Sequence, residues 1–395
     1  MDQPKLWTPH FIVGTLVNFL LLLNYYLLMV VMADFATDRF HASGSSAGLA
    51  VSMFIIGTMI ARFFSAQIME KVGKWNLLAA GILLEVLASA AYFFAGGLGL
   101  LLLIRLTHGI SYGLASTAVS TIVTGLVPPE RHGEGIGYFM LSSTLGTAVG
   151  PFVGMVLLRG GGYFNIFLTC VITAAVCFVC VFQLRLSPEK RAALAAAQKL
   201  LPREKGLRGI LEVKILPICL VCAGIYFCYS SLISFLSPFA AENGLAGPAT
   251  VFFLIYSAAI LFSRPFTGRL FDRRGADAVM LPAFLSFFVG MLLLSQARHA
   301  VPLLLSAVLL GFGMGAVQSC GLAIAVKSAP PERISYANST FYICADAGVG
   351  IGPFLLGFLL PGAGYRGMYL VVAGIAAAFT VLYLAVSRGR RRKGA

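Results

Sequence analysis

The sequence Pro128-Pro129-Glu130-Arg131 recurs 202 positions later as Pro330-Pro331-Glu332-Arg333. Other pairs keep the same offset without a gap: Gly109 and Gly311, Gly113 and Gly315, Gly146 and Gly348, Gly150-Pro151-Phe152 and Gly352-Pro353-Phe354, and Arg62, Glu70, Lys71 and Gly73 with Arg264, Asp272, Arg273 and Gly275. Similarity at one fixed period indicates an internal duplication. The sequence therefore predicts two equivalent halves.

The composition is that of a membrane protein. Of the 395 residues, 59% are apolar or aromatic and only 11% are charged, and the mean hydropathy is +0.90. Soluble domains carry about 45–50% apolar and about 25% charged residues. This composition argues against a soluble enzyme and against a nucleic-acid-binding protein. The net charge of +14 belongs instead to short loops between apolar segments.

Twelve apolar segments are long enough to cross the hydrocarbon core, which requires about 20 helical residues. They lie near residues 11–33, 47–69, 76–96, 99–125, 135–158, 164–184, 212–240, 250–271, 278–297, 301–326, 336–360 and 366–387. Six spans in each half make a parallel repeat about an axis along the membrane normal. We expect an all-α membrane protein with a six-helix bundle over 1–184, a cytoplasmic linker over 185–211 and a second bundle over 212–395.

Basic residues alternate from loop to loop. One set of loops contains Lys71, Lys74, Arg131, Lys190, Arg191, Lys199, Arg203, Lys205, Arg208, Arg273, Arg274, Lys327, Arg333 and the tail 388–393, whereas the other contains only Arg39, Arg159, Arg298 and Arg366. Since Lys and Arg accumulate in cytoplasmic loops, both termini are expected in the cytoplasm and the chain in the cell membrane.

The loop after the eighth span reads Gly268-Arg269-Leu270-Phe271-Asp272-Arg273-Arg274-Gly275. It resembles the G-x-L-x-D-R-x-G pattern of the major facilitator superfamily. The first half keeps a degenerate copy, in which Glu70 and Lys71 stand for Asp and Arg and Gly73 is retained. This pattern covers the whole superfamily and implies a transporter.

Two further patterns lie within spans. Arg105-Leu106-Thr107-His108-Gly109 resembles the family's R-x-x-Q-G, with His in place of Gln. Gly146-Thr147-Ala148-Val149-Gly150-Pro151-Phe152-Val153-Gly154 resembles the G-x-x-x-G-P-x-x-G motif of the twelve-span drug:proton antiporters. The resemblance implies two bundles related by a pseudo-twofold axis, which work by alternating access.

The motif residues suggest gating roles. A carboxylate at Asp272, beside Arg273, can accept hydrogen bonds from the N-terminus of a neighbouring helix and latch one state. Glu70, with Arg62 or Lys71, would do the same in the first half. The alternative is a solvated turn whose charges serve topology.

The antiporter-like motif predicts a tightly packed helix. Gly146, Gly150 and Gly154 share one helix face, which lets another helix approach closely, and Pro151 bends the helix. We expect this face to pack against pseudo-symmetric partners at the interface between the halves and to move during transport.

Charges inside the membrane point to function, since each costs about 2.5–3.5 kcal/mol on the insertion scale. Arg105 keeps its proton, so it can hold a carboxylate ionised or bind an anionic group. Glu85 and Asp346 can carry a proton, and His108, which shares a face with Arg105, titrates near physiological pH. Asp34 closes the first span and either serves the outer mouth or caps the helix. The alternative for Glu85 is a structural position that faces a small wet crevice, and the alternative for His108 is a hydrogen-bonded packing residue.

The resemblance implies that spans one, four, seven and ten line the cavity. Their polar and aromatic residues are Asn18, Asn24, Tyr25, Tyr112, Tyr226, Tyr229 and Gln318. Such a pocket suits a medium-sized organic solute, although the same residue types also form ordinary interhelical hydrogen bonds. We expect no metal site, and the eight cysteines are interpreted as packing residues.

These features predict a monomeric secondary transporter in the lipid bilayer, not an enzyme. It would export a drug-like compound or a metabolite such as a metallophore by proton antiport. No nucleotide-binding G-x-x-x-x-G-K-[ST] pattern is present, so we expect no cofactor and a proton gradient as energy source. Nutrient uptake by proton symport is the alternative, and a receptor without net flux is a more remote one.

Overall fold

The computed structural model describes residues 6–42, 44–184 and 211–394, and the predicted linker lies almost entirely outside them. The described residues form helices and no strand. The helices are α1 (Pro9–Phe40), α2 (Gly44–Val72), α3 (Lys74–Ala91), α4 (Leu98–Thr124), α5 (His132–Gln183), α6 (Leu216–Glu242), the short α7 (Ala246–Thr250), α8 (Phe252–Arg274), α9 (Asp277–Ser295), α10 (Ala300–Ser328), α11 (Ile334–Gly357) and α12 (Leu360–Gly394).

All twelve predicted spans lie on these helices, with spans five and six both on α5. Eleven described segments are long and apolar enough to cross a membrane. The segment missing from that set is α8, because it carries Arg264 together with four charged residues near its end. Charges that break the apolar pattern therefore mark α8 as unusual among the spans.

The start of α1 follows directly from local chemistry, but its end differs from the prediction. The Thr8 hydroxyl accepts a hydrogen bond from the Phe11 amide, and Pro9 occupies the first turn, so α1 begins there. The same helix continues to Phe40, beyond the predicted end at residue 33. The expectation that Asp34 closes or caps this helix is therefore wrong, and its exposed side chain lies within the helix.

The repeat is visible in the backbone. Gly73 and Gly275, which share the repeat register, precede α3 and follow α8 with φ values of 84° and 83°. Gly162 and Gly364 also share the register, and they kink α5 and α12 with φ values of 66° and 62°. These left-handed conformations disfavour residues with a Cβ atom. The motif glycines at 73 and 275 are thus required by turn geometry.

The helices group into two compact units. Unit 1 comprises Met1–Val127, Leu145–Val213 and Pro330–Ser339, and unit 2 comprises Pro128–Thr144, Lys214–Ala329 and Thr340–Ala395. Unit 1 therefore contains the beginning of the eleventh span, and unit 2 contains the beginning of the fifth.

Glycines bring helix backbones into contact at equivalent places in both units. A Cβ atom on Gly109 would lie 2.0 Å from the Phe54 carbonyl oxygen, and one on Gly311 would lie 2.4 Å from the Tyr256 carbonyl oxygen. Both partners are themselves 202 positions apart. The α2–α4 and α8–α10 contacts therefore depend on the absence of a side chain at the same register.

We predict that Gly109→Ala lowers the melting temperature of the purified protein, because the new methyl group forces α4 away from α2, at about 1–3 kcal/mol. Gly99→Ala, in the same helix but with open space around the new atom, is the matched control and should melt at or above the wild-type temperature. Equal melting of Gly109→Ala and wild type would contradict the contact.

Candidate functional site

Three buried polar side chains meet between α3 and α4 in unit 1. The Glu85 Oε1 atom lies 2.7 Å from His108 Nε2, and the Ser111 hydroxyl donates to Glu85 Oε2 at 2.5 Å. All three side chains are fully buried. Sequence reasoning named Glu85 and His108 separately, and the structure brings them together. Ser111 was missed, although it lies one turn after His108 on the same helix face.

Close backbone packing makes this pairing possible. A Cβ atom on Gly81 would lie 3.0 Å from the Ala115 amide nitrogen. Gly81 is one turn before Glu85, and Ala115 is one turn after Ser111. The small residues therefore bring α3 near enough to α4 for the carboxylate to reach both partners.

A tyrosine and an arginine extend the network. The Tyr92 hydroxyl is 2.9 Å from His108 Nδ1, and Arg105 Nη1 donates to the same hydroxyl at 3.3 Å. Arg105 Nε also donates to the Ala50 carbonyl at 2.9 Å, and the guanidinium lies 4.7 Å from the centre of the Phe54 ring. Sequence reasoning missed Tyr92. Its position two turns after Glu85, on the same face, was the available signal.

The resulting chain of contacts runs from Glu85 through His108 and Tyr92 to Arg105. The Arg105 cation and the Glu85 carboxylate balance each other's charge across the two intervening side chains, which reduces the penalty of burying either. Arg105 Nη2 has no hydrogen-bond partner among the described residues. Within this chain, Glu85 and His108 are an acidic side chain and an imidazole in direct contact.

The other two predicted acids lie elsewhere. Asp346 is half-buried on α11 in unit 2, near Tyr226, and Asp34 is exposed on α1. Neither belongs to the Glu85 network.

Aromatic pairs occur in both units. Tyr25 stacks on Phe54 at 4.8 Å and on Tyr112 at 5.4 Å between ring centres. In unit 2, Tyr229 stacks on Tyr256 at 5.8 Å. Sequence reasoning missed Phe54 and Tyr256, and their shared repeat register could have revealed them.

Asn24 has a packing role in the structure. Its carboxamide donates to the Cys170 carbonyl at 3.1 Å and accepts from the Thr173 hydroxyl at 2.9 Å, which joins α1 to α5. Together with its burial, these bonds favour the structural interpretation of Asn24. Asn18 is also buried.

The three motif glycines of α5 pack against α1. Cβ atoms on Gly146, Gly150 and Gly154 would meet Leu22, Tyr26 and Leu27, all on α1 of the same unit. The shared face is confirmed, and the nearest atoms to all three glycines belong to α1. Packing of this helix between the halves stays a prediction. Tight packing against α1 explains the pattern physically, because the backbones approach closely at all three positions.

Asp272 forms the predicted contact with a helix N-terminus. Its two carboxylate oxygens accept the amide N–H groups of Gly133 and Glu134 at 2.7 and 2.9 Å, at the start of α5. A Cβ atom on Gly268 would lie 2.8 Å from the Gly133 carbonyl oxygen, so this motif glycine allows the approach. Arg273 is exposed and takes no part in these hydrogen bonds.

Among the residues that the structure describes, Glu70 forms no equivalent latch in the first half. The Glu70 side chain is exposed and forms no hydrogen bond or ion pair with any residue that the structure describes. Lys71 is exposed as well, whereas Arg62 is buried. Here the alternative of a solvated turn fits, so the expectation of a Glu70 latch is not met.

Arg264 is a buried cation that sequence reasoning noted only as a repeat position. Its guanidinium is 1% exposed and donates to the Gly137 carbonyl, the Thr144 hydroxyl and the Gln318 carboxamide at 3.3, 2.9 and 3.0 Å. Gln318, a predicted cavity residue, is therefore held beside a charge.

Many apolar helices with a few buried, paired ionisable groups are typical of a multi-pass membrane protein. The sequence profile of the Major Facilitator Superfamily matches residues 14–276 and 248–395. The chain belongs to the Major Facilitator Superfamily, and it is a transporter rather than an enzyme. Members of this family bind small-molecule substrates within a membrane.

Individual relatives are distant but cover most or all of the chain. The multidrug resistance protein MdtG of Escherichia coli O9:H4 (strain HS) is 24% identical, over 99% of this chain and 97% of that protein. The uncharacterised transporter MJ1560 of Methanocaldococcus jannaschii is 23% identical, over 86% and 88%. The structure of the proton:xylose symporter XylE aligns over 95% of both chains with a TM-score of 0.77 and 15% identity, which establishes the fold.

We predict that Asp272→Ala accelerates amide hydrogen exchange at Gly133 and Glu134, since hydrogen bonds to a charged acceptor contribute about 1.5–3 kcal/mol. Hydrogen–deuterium exchange of the purified protein measures this. Arg273→Ala, in the same motif but exposed, is the control and should exchange like wild type. Unchanged protection in Asp272→Ala would contradict the latch.

Proposed function

We propose that this transporter exports a small organic molecule in exchange for protons, and that Glu85 and His108 together form its proton-coupling site. The 2.7 Å contact between these two fully buried groups is the observation that carries the proposal. A proton entering this pair changes the net charge of a water-excluded network. If solute binding changes the affinity of this pair for a proton, then movement of the solute is coupled to movement of the proton.

The antiport cycle requires only competition between proton and solute. In the outward-facing state the pair takes up a proton, and in the inward-facing state solute binding releases it. Arg105 supplies a constant positive charge through Tyr92, which favours proton release when the solute arrives. Asp346, near Tyr226 in unit 2, is the competing candidate for the coupling group.

Export is supported by two features. The Gly146 to Gly154 segment has the pattern of the drug:proton antiporters, and a full-length relative is named as a multidrug resistance protein. The basic loops favour a cell-membrane protein with both termini in the cytoplasm. We further propose that the protein acts as a monomer without a cofactor.

The sign of the proton movement tests the proposal. Purified protein in weak buffer is screened with a drug-like library for compounds that raise its melting temperature, and the pH change on binding is recorded. Antiport predicts proton release on binding, whereas proton uptake would support nutrient symport instead. Binding without any proton movement, or the absence of a stabilising compound, would contradict the proposal.

We predict that Glu85→Gln abolishes the proton release while compound binding persists, because the pair loses its titratable carboxyl group. The melting temperature should also fall, since one partner of a buried charge network is removed, typically at about 3–5 kcal/mol. Glu242→Gln, at an exposed carboxylate on α6, is the matched control. If Glu85→Gln still released the full number of protons and Asp346→Asn released none, the coupling group would be Asp346 rather than the Glu85–His108 pair.

A further inference from the structure

Arg264 is a cation without a carboxylate partner. No Asp or Glu among the described residues lies within ion-pair distance of its guanidinium, and its three hydrogen-bond partners are neutral oxygens. Its Nε atom is buried and makes no hydrogen bond to the described residues. This guanidinium is thus buried on α8, the predicted eighth span, and its charge is not balanced by a carboxylate among the described residues.

The buried arginine of unit 1 has a different set of partners. There Arg105 is balanced by Glu85 through Tyr92 and His108. The hydroxyl that faces Arg264 belongs to Thr144, and the residue at the same repeat register in the other half is Asp346, 202 positions later. The repeat therefore carries a carboxylate at this register in one half and a neutral hydroxyl in the other.

Polar and aromatic side chains surround Arg264, and such residue types can contact an organic molecule. The Tyr226 side chain lies near Gln318, which accepts a hydrogen bond from Arg264. Tyr256, near the guanidinium, stacks with Tyr229. Gln318 and Tyr229 are only partly buried, so the cation lies one side-chain layer beneath accessible polar and aromatic surface.

We propose that Arg264 binds the acidic group of the transported solute, which is therefore an organic anion with an apolar or aromatic body. The acidic group replaces a neutral acceptor on the guanidinium and forms a charge-assisted hydrogen bond, which is stronger than the neutral one. The body of the solute packs against the Tyr229–Tyr256 pair. This inference rests on the proposed solute-transport function and adds the chemical class of the solute.

A matched pair of probes tests the charge requirement. 2-Naphthalenesulfonate is ionised throughout the usable pH range, and 2-naphthalenesulfonamide has nearly the same shape without the charge. Equilibrium binding to the full-length protein in detergent needs no proton gradient, so a failure of proton coupling leaves this test unaffected. We expect the sulfonate to bind at least about tenfold more tightly, because a close charge pair in a desolvated site can be strongly coupled.

The variant Thr144→Asp places a carboxylate where the hydroxyl contacts Arg264. It should raise the melting temperature, by pairing the cation, and weaken sulfonate binding by about tenfold or more. Thr144→Asn changes the side chain without adding charge and should weaken binding by no more than about threefold. Arg264→Lys keeps the charge but loses the planar donor geometry, and an intermediate affinity is expected.

Three results would overturn the inference. They are equal affinity for sulfonate and sulfonamide, undiminished sulfonate binding by Thr144→Asp, and no sulfonate binding by the wild-type protein. Tighter sulfonate binding that Thr144→Asp abolishes and Thr144→Asn retains would support it.

Discussion

A carboxylate inside a membrane is costly unless it is paired or hydrogen-bonded, and Glu85 contacts two polar side chains on the neighbouring helix α4. His108 and Ser111 occupy its two oxygens, and this is possible only because Gly81 lets α3 approach α4. The backbone packing and the polar network therefore depend on each other. Removing the small residue would separate the partners, and removing a partner would leave a buried charge unpaired.

The two halves share a backbone plan but differ in their chemistry. Left-handed glycines, helix kinks and close glycine contacts recur at equivalent positions, because these features depend on backbone geometry alone. The Glu85 network does not recur, since the registers of Glu85 and Arg105 carry Phe287 and Ala307 in the second half. That half provides instead Arg264, a cation held by neutral acceptors. A duplicated scaffold of this kind can assign proton binding and solute binding to different halves.

The sequence alone predicted the twelve spans and the contact of Asp272 with a helix N-terminus. Hydrophobic length and the repeat register are properties of the chain, so they can be counted along it directly. The partners of buried groups are harder to predict, because helices that are apolar all round show no amphipathic face. For this reason Glu85 and His108 were named separately, and Tyr92, Ser111 and Arg264 were not assigned to a site.

Repeat symmetry gave a wrong expectation at Glu70. Glu70 occupies the register of Asp272, yet it stays exposed, and position 66 carries Ala where the second half has the Gly268 that permits close approach. The glycine face of α5 was expected to pack between the halves, and its described contacts are with α1. Equivalent registers thus predict the backbone reliably, whereas the contacts of each side chain depend on its own neighbours.

The central claim is that the Glu85–His108 pair exchanges a proton when solute binds, and infrared difference spectroscopy tests it most directly. The solute-induced spectrum of the wild-type protein should contain a Glu85 carboxyl band or a His108 imidazole band that Glu85→Gln alters. A spectrum without such a band, or one that Glu85→Gln leaves unchanged, would contradict the assignment.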